Sequence, residues 1–206
     1  MASNYTKGAR TQRAFLDAAE AEFAARGYLS TKVEDIARSA GKSPASFYNY
    51  FLDKAEVLTA LAREIQEDTQ SRIAVPPQAG SPTRETIWRA IQIFWETYSA
   101  RLGALSGVFQ ASMVDEAFLD SWQSIRGTAL QFVRKGIEQA QAEGYCPGVD
   151  PGLAASALSS MLEHFCYVWL VQGGDGGRRK KVTTKQAVDT LADLWYHAIY
   201  WRPAEA

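Results

Sequence analysis

Two helix-start signals stand twelve residues apart with a glycine between them, and this constrains the chain more than any other feature of its sequence. Thr31 opens a Thr-x-x-Glu pattern with Glu34, a pairing that satisfies two orphan backbone donors at a helix N-terminus. Ser43 precedes Pro44, which has no N–H to lose at a first helical position. Gly41 breaks the helix that the first signal starts, at about Ser39. The pattern therefore predicts a short helix, a turn Ala40-Gly41-Lys42-Ser43, and a second short helix. Helices this short are marginal in water and must be held by packing. Val33, Ile36 and Ala37 supply an apolar face against which Phe47 can pack. Two short helices joined by a tight glycine turn can lay the second helix in the DNA major groove.

Phe47 and Phe51 take the inward i, i+4 positions of the second helix, so Ser43, Ala45, Ser46, Tyr48, Asn49 and Tyr50 are expected to face outward. These are small or hydrogen-bonding groups, suited to close approach to base edges and phosphates. Lys54 follows Asp53, which is predicted to cap the next helix together with Glu56. That helix start can itself accept an anion. Thr31, Lys32, Lys42 and Pro44 complete the candidate DNA surface. Charge supports this weakly. Residues 1–55 carry eight Lys/Arg against six Asp/Glu, and the remainder 14 against 17, within a net charge of −1.

Helical periodicity and start and stop signals predict nine helices and no sheet, an all-α chain. They cover about 10–26, 32–39, 44–50, 54–72, 81–98, 103–118, 119–143, 151–172 and 184–201, with a Pro- and Gly-containing connection at 75–82 and a glycine-rich basic loop at 173–181. A division into a DNA-binding head at 1–55 and a ligand-binding and dimerisation body at 56–206 is expected. Cys146 and Cys166, the only cysteines, read as free thiols. No signal peptide opens the chain and no apolar run reaches ~18–20 residues, so the expectation is a soluble, cytoplasmic protein.

Catalytic signatures are missing. His164 and His197 are the only histidines, and neither they nor the cysteines show zinc-ligand spacing. The segment Gly173–Gly177 lacks the Lys-Ser/Thr of a phosphate loop, and no G-x-S-x-G elbow is present. The chain is expected to be no enzyme and to need no metal or cofactor. Its body is instead rich in aromatic residues: Phe94, Trp95 and Tyr98, then Phe109 with Met113, Trp122, and Phe165 with Trp169. Concave apolar sites are usual for small ligands. No Lys/Arg cluster accompanies these rings, which points to an uncharged apolar effector; Arg126, the one cation expected nearby, leaves an anionic head group as an alternative. An all-helical small-molecule binder or enzyme without a DNA role stays open as an alternative, as does a helical adaptor.

The run Phe15, Ala18-Ala19, Phe23, Gly27-Tyr28, Thr31, Val33, Asp35-Ile36-Ala37, Ala40-Gly41, Ser43, Phe47-Tyr48, Tyr50-Phe51, Lys54, Leu58 resembles the head of TetR-family repressors over about residues 10–60. That resemblance implies a dimer on a palindromic operator, with Tyr48 and Lys54 on backbone phosphates. The body segments "IWRAIQIFWETY" and "DTLADLWYHAIYW" resemble the ethionamide-resistance repressor branch of that family. The branch implies an apolar tunnel between the fifth, seventh and eighth helices, to which Ser159, Met161 and Leu162 would contribute. It also implies a dimer interface on the last two helices, through Leu153, Ala157, Leu191, Trp195, Ala198 and Ile199.

Overall fold

A computed structural model describes residues 7–73, 84–175 and 182–203. They form α1 (Lys7–Arg26), α2 (Val33–Ser39), α3 (Pro44–Tyr48), α4 (Lys54–Ile73), α5 (Arg84–Ala100), α6 (Leu102–Ser112), α7 (Glu116–Ala142), α8 (Pro151–Cys166), a π-helical turn (Tyr167–Gln172) and α9 (Thr184–Ile199). Among the described residues there is no strand. The expected 75–82 connection, the Ser81-Pro82 start and residues 176–181 of the expected basic loop lie outside them.

Local chemistry sets most helix ends. Ser43 Oγ accepts from Ser46 N–H at 3.2 Å, Asp150 Oδ1 from Leu153 N–H at 2.7 Å, and Thr183 Oγ1 from Gln186 N–H at 3.2 Å. Asp53 Oδ1 accepts from Ala55 and Glu56 N–H at 2.8 and 2.9 Å. The start of α2 departs from the sequence pattern by one residue. The Lys32 N–H donates to Asp35 Oδ2 at 3.2 Å, while Thr31 Oγ1 turns back to donate to Gly27 O at 2.8 Å. A threonine in the turn after α1 can satisfy the carbonyl of the glycine that ends the helix, and this use wins over capping α2. The expected eighth helix reaches Gln172, but its last six residues are wound as a π-turn.

Two compact units emerge, and they do not follow chain order. The first joins the described residues of Met1–Arg72 with Arg101–Ile125. Its core holds Phe15, Phe23, Ile36, Phe47, Val57, Leu58 and Leu61, each at most 1% exposed. Phe15 meets Phe47 edge-on at 5.3 Å. Thus α6, assigned to the body by the sequence reading, packs with the head helices. Gly103 makes that packing possible: a Cβ there would stand 1.9 Å from Glu20 O, so only glycine lets α6 approach the backbone of α1 this closely. Gln110 Oε1 accepts from Tyr28 N–H at 3.0 Å, and Arg101 reaches both Glu20 (3.3 Å) and Glu64 (3.2 Å).

The second unit joins the described residues of Ile73–Ala100 and Arg126–Ala206. Here α5 and α9 run antiparallel, because Arg84 pairs with Asp193 (2.6 Å) and Trp88 Nε1 donates to Asp189 Oδ1 (2.7 Å). Ile91, Ile137, Leu162, Val188 and Leu191 fill its interior. Cys146 and Cys166 are buried free thiols, and burial pushes the Cys166 thiol up to about 12. Among the described residues no helix is long and apolar enough to cross a membrane.

Candidate nucleic-acid interface

The rotation of α3 is fixed by Phe47, which is fully buried between Phe15 and Phe51. Gly41, at φ +65°, lets the chain turn sharply enough between α2 and α3 for this contact. Packing Phe47 inward turns Ser43, Pro44, Ala45, Tyr48 and Asn49 to the surface, beside exposed Lys42 and, before α2, exposed Lys32. Tyr48 is 56% exposed, yet its ring rests edge-on against Phe47 at 5.6 Å, which steadies the phenol. No carboxylate occurs from Ala40 to Leu52, so α3 itself and the turn before it carry no charge that repels phosphate. Ser46 is half-buried. Tyr50, expected outside, is half-buried with its ring 5.8 Å from Phe15.

Two expected DNA contacts are corrected by the geometry. Thr31 is 1% exposed, and its hydroxyl is engaged by the Gly27 carbonyl, so its side chain reaches no phosphate. Lys54 does not project outward. Its Nζ donates to Tyr28 O (2.7 Å), Leu29 O (3.1 Å) and Thr31 O (2.8 Å), and lies 4.5 Å from the centre of the Tyr28 ring. An ammonium has three donors, and here all three are used. Burial pulls this group's pKa down from its ordinary value, while the three carbonyls favour its charged form. Lys54 therefore clasps the α1–α2 turn to the start of α4.

The aromatic residues of the body divide between the two units. In the first, Phe109 and Trp122 lie 5.3 Å apart and Met113 is 65% exposed. In the second, Trp95 and Phe165 are 6.1 Å apart, Phe165 and Trp169 5.9 Å, and Phe94 and Tyr98 6.0 Å. Tyr98 is 2% exposed, and burial raises its phenol well above the ordinary range. Ser159 and Leu162 are buried and Met161 half-buried. Arg126 is not a free cation: its Nε donates to Glu163 Oε1 at 2.8 Å and Nη2 to Ser160 Oγ at 3.0 Å. Burial raises the Glu163 carboxyl, and the Arg126 hydrogen bond opposes that rise.

The expected dimer residues also divide. Leu191, Trp195 and Ile199 are at most 7% exposed and belong to the inner stripe of α9, together with Val188 and Ala192. That stripe packs inside the chain, so these three cannot form an interface between copies. The outer stripes are Leu153, Ala157, Ser160 and His164 on α8, and Thr190, Leu194, His197 and Ala198 along α9. Leu153 is 74% and Leu194 53% exposed. Sequence reasoning missed Leu194 and the α6 contacts; the signal for α6 was present as Gly103 and Gly107, four residues apart in an apolar segment. Among the described residues no group of three or more His, Cys, Asp or Glu could hold a metal ion.

A capped recognition helix with a carboxylate-free outer face, on an all-helical chain, defines a helix-turn-helix transcriptional regulator. The family of bacterial regulatory proteins of the tetR type matches residues 15–61, and the C-terminal domain of the transcriptional regulator EthR matches residues 87–201. The chain belongs to the TetR family of bacterial transcriptional regulators, with an EthR-type C-terminal domain. The HTH-type transcriptional regulator EthR of Mycobacterium tuberculosis is 25% identical over 205 residues, spanning 94% of this chain and 93% of its own. A structure described as a transcriptional regulator from Saccharomonospora viridis in complex with choline has the same fold, with a TM-score of 0.73 at 20% identity, over 94% of this chain and 99% of that one. AibR, solved in complex with isovaleryl coenzyme A and operator DNA, has a TM-score of 0.69 at 17% identity, over 89% of this chain and 97% of its own.

Proposed function

We propose that this regulator represses by binding a palindromic operator as a homodimer through α3, and that a small, uncharged apolar effector releases it. The observation that carries the reading is the outer face of α3: Phe47 anchors the helix, Tyr48 and Asn49 stand out, and the helix itself carries no acid. Tyr48 donates its phenol proton to a backbone phosphate, and Lys32 and Lys42 add charge. The homodimer forms through the outer stripes of α8 and α9, with Leu153, Ala157, Leu194 and Ala198 at its centre. Large apolar side chains this exposed are a reason to expect a partner. A twofold dimer presents its recognition helices about one DNA turn apart, ~34 Å.

The effector is placed within the second unit, against Trp95, Phe165 and Trp169. Arg126 is already neutralised by Glu163, so it does not call for an acidic effector. EthR and AibR are named as a transcriptional regulator and an operator-bound protein, which supports action by binding, on DNA in the cytoplasm, without catalysis. The experiment is a mobility-shift titration against the promoter beside the chain's own gene, at several salt concentrations. Binding that weakens steeply with salt is expected. Tyr48→Phe should weaken it by about five- to tenfold, from one hydrogen bond of roughly 1–1.5 kcal/mol. No salt-dependent binding to any duplex would overturn the reading.

A further inference from the structure

We infer that the operator half-site read by α3 is an A·T site, with a thymine under Ala45 and an adenine under Asn49, and that α3 reads no G·C pair directly. The inference rests on the DNA-binding reading above and names the chemistry of its partner. From Ser43 to Asn49 there is no Arg, Lys, Gln, Asp or Glu. Those are the side chains that take guanine through O6 and N7, adenine through N6 and N7, or cytosine through N4. Asparagine is the other residue that makes a two-point contact, and it makes it to adenine. Asn49 is exposed, and no hydrogen bond of its side-chain amide occurs among the described residues. Its backbone keeps right-handed helical angles (φ −77°, ψ −12°), so it continues the path of α3.

Ala45 lies four residues earlier and is exposed on the same face. Its methyl is the natural partner of the thymine C5-methyl group. A side chain this small also lets the helix backbone sit deep in the groove, within reach of Asn49. The two residues are separated by ~6 Å along the helix at ~1.5 Å per residue. That is about two base-pair steps of ~3.4 Å. The remaining exposed groups carry little sequence information. Ser43 Oγ already caps α3 through Ser46 N–H, Tyr48 is assigned to a backbone phosphate in the reading above, and Lys42 lies in the turn before the helix.

The test is selection of duplexes from a random pool by the full-length chain, followed by single-atom changes in the selected site. The expected consensus carries a thymine and an adenine about two steps apart in each half-site. Replacing that thymine with deoxyuridine removes only the methyl group; it should weaken wild type several-fold and leave Ala45→Gly unchanged. Replacing that adenine with 7-deazaadenine removes the N7 acceptor; it should weaken wild type about tenfold and leave Asn49→Ala unchanged. Melting curves confirm that both variants are folded. A consensus with G·C pairs at these positions would overturn the inference and leave the DNA-binding reading standing. Equal effects of the modified bases on wild type and variants would overturn it too. Failure to retain any duplex in a salt-dependent manner would remove both.

Discussion

Replacing Lys54 with methionine separates two roles that sequence position alone confounds. Methionine keeps most of the aliphatic stem over Tyr28 and deletes the ammonium with its three donors. Hydrogen bonds from a charged group contribute roughly 1.5–3 kcal/mol each when fully desolvated. Lys54 is only half-buried and the freed carbonyls of Tyr28, Leu29 and Thr31 regain some water, so about 1 kcal/mol per bond is the appropriate scale. Loss of the cation–π contact with Tyr28 adds ~0.5–1 kcal/mol. The sum is about 3.5–4 kcal/mol, or a fall in Tm of roughly 7–16 °C for a chain of this size. The assays are a circular-dichroism melt and operator titrations across salt concentrations well below Tm. The structure requires a lower Tm with an unchanged salt slope. A lysine bound to phosphate would give the reverse, an unchanged Tm and a slope reduced by about one. That result would refute the clasp.

The glycines offer a contrast in sign. Gly103→Ala should destabilise by about 3 kcal/mol, because its Cβ meets the unyielding backbone of Glu20, whereas Gly127→Ala, mid-helix with no atom within 4 Å of the added carbon, should stabilise by up to ~1 kcal/mol; thermal melts read both. Leu194→Glu and Ala198→Arg, on the outer face of α9, should yield folded monomers in sedimentation, while Leu191→Glu, on the inner face, should abolish folding; a dimer surviving both outer substitutions refutes the proposed interface. Phe165→Ala should keep DNA affinity and lose effector-induced release. A variant released at the wild-type effector concentration places the effector elsewhere.

The sequence is most readable where structure is decided by nearest neighbours. Ser43-Pro44, Asp150-Pro151 and Thr183 with Gln186 are caps whose donors and acceptors lie three residues apart, and each forms as the pattern predicts. The inward course of Phe15, Phe23, Ile36 and Phe47 follows from periodicity in the same way. Direction is harder to read. Nothing local to Lys54 shows that carbonyls more than twenty residues earlier converge on it, since that depends on how α1 meets α4. Nor does the sequence choose a face for α9, which is apolar over more than one stripe. The choice comes from α5, where Trp88 and Arg84 pair with Asp189 and Asp193 and so turn Leu191 and Trp195 inward and Leu194 outward.

Two kinds of contact tie the helices that carry α3 together. The ion pairs Arg13–Glu64, Glu64–Arg101 and Arg101–Glu20 link α1, α4 and the start of α6. Their side chains are 17–40% exposed, so each pair contributes only ~0.5–1 kcal/mol, and burial raises the Glu20 carboxyl against the pull of Arg101. These pairs alone could exchange partners. Gly103 against the Glu20 backbone, Gly107 against Leu58 and Gln110 on the Tyr28 N–H are contacts of another kind, made by backbone and by packed core atoms without spare volume. A shift of even one ångström there either opens a void or forces an overlap. Within this unit a displacement of α6 is therefore passed to α1 and to the turn that Lys54 clasps. Phe15 and Phe47 carry it on to α3, so α6 and the DNA-reading face are expected to move as one body.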